Sequence, residues 1–166
     1  MSRDRVKATK LAIGLPFGIG QLELEPDEVE QRAAWELYVE LITRVATRPL
    51  EPETGLIREA LSSLHEIISV TREVLRKAGP DIAQGPNSLG NVAVEVIVQG
   101  IRPFLSKWHP LLLKYEHERS ANTNPLEHEQ AWEQGAQFHK ELAEFQDQIF
   151  VYVVALGRIA GIDSND

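Results

Sequence analysis

The chain has 166 residues, 43% hydrophobic and 25% charged, with no cysteine and a formal net charge of −8. That length and balance suit one globular domain with a core of its own, and the missing thiols exclude disulfides, thiolate nucleophiles and zinc–thiolate or iron–sulfur centres. No apolar run reaches the ~18 residues of a membrane-crossing helix, so the expected location is cytoplasmic.

The charge is uneven. Arg3, Arg5, Lys7 and Lys10 against Asp4 give residues 1–10 a net +3, which leaves −11 for the remainder. An acidic body repels a phosphate backbone, so nucleic acid is not an expected partner. Residues 11–24, LAIGLPFGIGQLEL, are apolar but interrupted by Gly14, Pro16, Gly18 and Gly20, which oppose a helix. They predict an extended arm across a hydrophobic groove of this chain or of another, with Leu15 and Phe17 buried. The glycine spacing lacks the Lys-Ser/Thr of a phosphate loop. Residues 1–24 thus form a basic tail and arm, 25–160 a helical body and 161–166 a polar tail.

The first helix is expected from Pro26, with Asp27 and Glu28 at its positive end and Ala34, Tyr38, Leu41 and Val45 on the inner face beside Trp35 and Ile42. Pro49 and Pro52 separate it from the second, where Ile57, Leu61, Leu64, Ile68, Thr71 and Leu75 alternate steps of four and three in a bundle seam. Glu59, Glu66 and Glu73 recur beside Arg58, His65 and Arg72, which reads as a solvated outer face. Lys77-Ala78-Gly79-Pro80 stops that helix.

A third helix starts after Ser88 as N-cap. Val94, Ile97, Ile101, Leu105, Trp108, Leu112 and Tyr115 make one seam, and Asn91, Glu95, Gln99, Arg102, Ser106 and His109 a narrow polar stripe. A fourth opens at Asn124-Pro125 with Glu127, and Ala131 to Ile159 keep helical spacing. The apolar run from Ile149 to Leu156 predicts a covered C-terminal end. Long helices with short connections imply an all-α, up-down-up-down antiparallel four-helix bundle carrying an extended N-terminal arm.

No histidine has a carboxylate three residues before it, so the di-iron pattern of helical bundles is missing. Glu116-His117-Glu118 and Glu127-His128-Glu129 flank one connector, but neighbours on a helix point ~100° apart and each triplet offers few ligands. No nucleophile elbow or oxyanion loop is present. These absences predict a protein without cofactor or metal, and not an enzyme.

The segment GIRPFLSKWHP, residues 100–110, concentrates the unusual chemistry. Pro103 and Pro110 each remove an amide and free a carbonyl one turn back. In one reading Arg102, the Trp108 indole and His109 satisfy those carbonyls, with Arg102 part-buried and Glu95 its first partner. In the other, the kink opens a pocket or partner surface lined by Arg102, Trp108 and His109, residue types of interface hot spots. Candidate ligand- or partner-binding residues are therefore Arg102, Trp108, His109, Glu95 and, on the arm, Phe17.

AAWELYVELITR, LIREALSSL and IRPFLSKWHP, with GLPFGIG ahead of them, resemble a family of small bacterial helical domains associated with multi-gene conflict or signalling systems. The resemblance spans roughly residues 14–118 and brings no catalytic residue with it. It implies a signalling or interaction module. The expectation is a non-enzymatic protein-interaction or regulatory module with a protein partner or a second copy of itself. A small-ligand sensor using the kinked third helix is the alternative, and a metal or enzymatic bundle comes third.

Overall fold

The structure is a computed structural model and describes residues 10–51 and 53–162. The basic residues before Lys10 and the polar residues after Ile162 lie outside the described residues. The chain is mostly helical, with one small antiparallel sheet: β1 (Leu11–Leu15), β2 (Gly20–Leu24), α1 (Glu28–Ile42), α2 (Ile57–Ala78), α3 (Leu89–Val96), α4 (Arg102–His117), α5 (Pro125–Gln130) and α6 (Gly135–Ile159).

The expected extended arm is a β-hairpin. Leu11 pairs with Leu24, and Leu15 with Gly20. The reversal is a turn closed by Ile19 N–H donating to the Pro16 carbonyl at 3.2 Å. Phe17 and Gly18 at its centre have φ of 57° and 71°, the doubly left-handed combination that matches strand twist. Alternation then buries Ile13, Leu22 and Leu24. Leu15 and Phe17 are half-buried against the core.

Helix boundaries follow local chemistry. Asp27 caps α1 by accepting from Glu30 N–H at 2.8 Å. The helix ends at Ile42, earlier than Pro49, where the Thr43 and Thr47 hydroxyls donate to the carbonyls of Val39 and Leu41 at 2.7 and 2.6 Å. Such side chains compete with the helix ladder. The inner face of α1 is Ala33, Ala34, Leu37 and Leu41, and Trp35 faces outward at 50% exposure. The α2 seam is buried as expected except that Leu75 is half-covered. Val94, expected in the third seam, is exposed.

α3 and α4 are one run joined by a π-helical turn over Ile97–Ile101, where Arg102 N–H donates to the Ile97 carbonyl. The widened turn sits just ahead of Pro103 and takes up the register that the imino ring disturbs. The helix then runs through Pro110. The expected fourth helix is two: α5 ends at Gln130, and α6 begins only after a short turn in which Trp132 is buried. Nor is the end of α6 covered all round, since Phe150, Val151 and Val154 are exposed.

A file of rings runs through the core. Phe17 meets Phe145 (5.4 Å between centroids), Phe145 meets Phe104 (4.8 Å), Phe104 meets Phe138 (5.8 Å), Phe138 meets Trp108 (5.2 Å) and Trp108 meets Trp132 (5.9 Å). Tyr115 and His128 continue it, stacked 3.9 Å apart. These contacts bind the hairpin tip, α4 and α6 into one core. Each aromatic pair adds about 0.5–1.5 kcal/mol beyond area burial.

Two helix starts are completed from far along the chain. Glu129 is buried, and its carboxylate accepts from Ile57 N–H at 2.6 Å and Arg58 N–H at 3.2 Å, the first amides of α2. Glu30 on α1 accepts from Leu89 N–H, the first of α3, at 3.3 Å, alongside the expected Ser88 cap of Asn91. A carboxylate there satisfies orphan amides and meets the positive helix end.

Candidate functional site: the groove between α2 and α4

The segment 100–110 divides its residues between two faces. Gly100, Ile101, Phe104 and Trp108 point into the core, and Arg102 and His109 are exposed. Two sequence expectations are corrected here. Arg102 is neither buried nor paired to Glu95, whose carboxylate accepts from Gln99 Nε2 at 2.5 Å instead. Trp108 does not line the groove: it is 1% exposed, and its indole nitrogen is buried without a hydrogen-bond partner. The π turn, not donors from Arg102 or His109, accommodates Pro103. Phe17 belongs to the aromatic file and faces Gly100 rather than a free surface.

Arg102 and His109 instead line an open groove of about 580 Å³ between α2 and α4. Heptad spacing builds it. Arg58, His65 and Arg72 stand seven apart on α2, and Arg102 and His109 seven apart on α4. Two helical turns return a side chain to nearly the same face, so each row looks into the same trough. Leu61, Ile68 and Leu105 make its floor, with Ser62 and Ser106 between. The second row continues to Glu116, whose carboxylate takes Arg58 in a two-pronged pair, Nε–Oε2 2.9 Å and Nη2–Oε1 2.5 Å. Pairing Arg58 with Glu116 at one end, and Arg72 and Arg102 on one trough, sets α2 and α4 antiparallel.

The charges are not all committed. Arg58 also lies 3.0 Å from His109 Nδ1 through Nη1. A guanidinium only donates, so His109 Nδ1 is the acceptor of this contact. Glu66, the one carboxylate on the lining, is taken by Arg44 from α1's end. Arg72 and Arg102 have neither an ion pair nor a hydrogen bond among the described residues. A chain of net charge −8 thus presents a cationic trough. The signal was in the sequence as the seven-residue recurrence of Arg58, His65 and Arg72. It reads as a solvated face until α4 is placed beside it.

The Glu-His-Glu triplets serve the fold. Glu116 holds Arg58, Glu129 caps α2, and His128 stacks on Tyr115 with its Nε2 2.7 Å from the Tyr115 carbonyl. Among the described residues no group of three or more His, Asp or Glu is placed to hold a metal ion. No helix there is long and apolar enough to cross a membrane.

Comparison with family models, with curated proteins and with solved structures finds no match for the chain.

Proposed function

We propose that this chain is a non-enzymatic interaction or regulatory module that engages an acidic protein partner through the α2–α4 groove. The observation that carries this is the pair of uncommitted guanidiniums, Arg72 and Arg102, above an apolar floor in an otherwise acidic protein. Charge complementarity of that kind steers association and selects partners. In this reading the long helical runs act as an up-down-up-down four-helix bundle, the module works in the cytoplasm, and no cofactor takes part. Its resemblance to bacterial helical domains of conflict or signalling systems fits such a role. A small-ligand sensor is the second reading, favoured by a groove volume within the usual 300–1,000 Å³ of ligand sites and by its position beside the π turn.

The test is affinity capture from cells of the native host, comparing the wild-type chain with Arg72→Glu/Arg102→Glu and with Arg32→Glu as a control on the exposed side of α1. A partner retained by the first and third and lost by the second is expected. The same captured set with all three would defeat the groove as the interaction face.

A further inference from the structure

The two ends of the groove differ. At the Arg58 end the cation is spent on Glu116 and His109. At the other end Arg72 and Arg102 bring two permanent positive charges to one groove with no ion pair of their own, and Glu66, the one carboxylate on the lining, is paired to Arg44. A guanidinium cannot shed its proton there, so both charges persist until an anion arrives. A single carboxylate neutralises only one of them. A phosphate monoester carries about −1.5 to −2 at neutral pH, and its three terminal oxygens accept forked N–H pairs from two guanidiniums. Leu61, Ile68 and Leu105 offer an apolar bed to whatever body carries the phosphoryl group.

We infer that the Arg72–Arg102 end of the groove is an oxyanion subsite for a phosphate monoester. The inference rests on the groove being the binding face proposed above. The phosphoryl group is the shared chemistry of two sources, a phosphorylated small molecule and a phosphorylated side chain of a protein partner.

The experiment is an NMR titration of the full ¹⁵N-labelled chain at pH 7.5 and constant ionic strength. The probes are hexyl phosphate, hexanoate, and the pentapeptide Ala-Ala-phosphoserine-Ala-Ala with its unphosphorylated counterpart. Saturable shifts are expected at amides around Arg72 and Arg102 with a phosphate monoester. Hexanoate should bind about tenfold more weakly, and Arg72→Gln or Arg102→Gln should each weaken phosphate binding about tenfold, equivalent to ~1.4 kcal/mol. Arg32→Gln should change nothing. Tighter binding of hexyl phosphate than of the phosphopeptide identifies a small-molecule source, and the reverse order a protein source. The inference is overturned if no saturable shift occurs, if hexanoate matches hexyl phosphate, or if the shifts survive in the Arg72→Gln/Arg102→Gln double variant. Should the charge-reversed chain lose its protein partner while phosphate monoesters bind no better than hexanoate, the groove reading stands and this inference alone fails.

Discussion

The Phe17 ring rests on Gly100 so closely that a Cβ on Gly100 would come within 2.4 Å of Phe17 Cε2. The tip of the hairpin and the π turn are thus fitted to each other through a missing side chain. Phe17 N–H also donates to Gln148 Oε1 at 2.9 Å, fixing the tip to α6. Gly100→Ala should cost about 1–3 kcal/mol through overpacking. Removing the ring relieves the clash, so Gly100→Ala/Phe17→Ala should lose less than the sum of the single variants. Urea denaturation of the four proteins measures this, and strict additivity would show that the contact is not the cause.

Glu129→Ala leaves the first amides of α2 without their acceptor. A loss of about 1–2 kcal/mol is expected, as for other helix caps. Hydrogen exchange should quicken at Ile57 and Arg58 before it does at the middle of the helix. Unchanged protection there would remove Glu129 from the capping role.

The Glu30 carboxyl is held above its ordinary range, chiefly because burial disfavours its charge, with the Leu89 amide pulling the other way and Asp27 pushing it up. The folded protein therefore binds this proton more tightly than the unfolded chain. The contribution of Glu30 is most favourable below the unfolded value of 4.5 and declines as pH rises from there through the raised folded value. Glu30→Gln keeps an acceptor near Leu89 and cannot ionise. Its melting temperature relative to wild type should climb between pH 4 and neutrality, and a flat difference would contradict the shift.

Tyr152 is 2% exposed and its hydroxyl has no hydrogen-bond partner. Burial raises the phenol well above its ordinary range, so it stays neutral. A buried hydroxyl without a partner costs about 1–3 kcal/mol in desolvation. Tyr152→Phe should be neutral or stabilising by up to about 1 kcal/mol in thermal denaturation, where most core changes destabilise.

Arg102→Met should shift stability by less than about 0.5 kcal/mol, as at other exposed positions free of special contacts. A large loss on melting would return Arg102 to the structural role first expected of it.

Local periodicity was enough to read α2, whose four-three seam matches its buried face almost residue for residue, and Ser88 could be named as a cap from its position alone. The hairpin was harder. Its glycines and Pro16 do exclude a helix, but the left-handed Phe17 is held by Phe145 and Gln148, more than a hundred residues away. Pro103 reads as a break because the alternative, a π turn, needs tertiary packing around Gly100. Of the site, Arg102 and His109 were legible from the polar stripe. Trp108 belongs to the apolar seam of the third helix and is buried there, so of the two readings of this segment the one that lines a pocket with its ring is not met. Arg72 is not legible as part of a site, because a charged row looks solvated until its opposite row is known.

Glu129 lies 72 residues downstream of the Ile57 amide that it receives. On the ribosome α2 is therefore synthesised well before the residue that caps its first amides, which have no Glu129 acceptor until α5 is made. The Glu30 side chain is in place ahead of α3, whose start can be completed as it emerges. Of the two helix starts capped from a distance, the one beside Arg58 is thus the one whose cap is made after it.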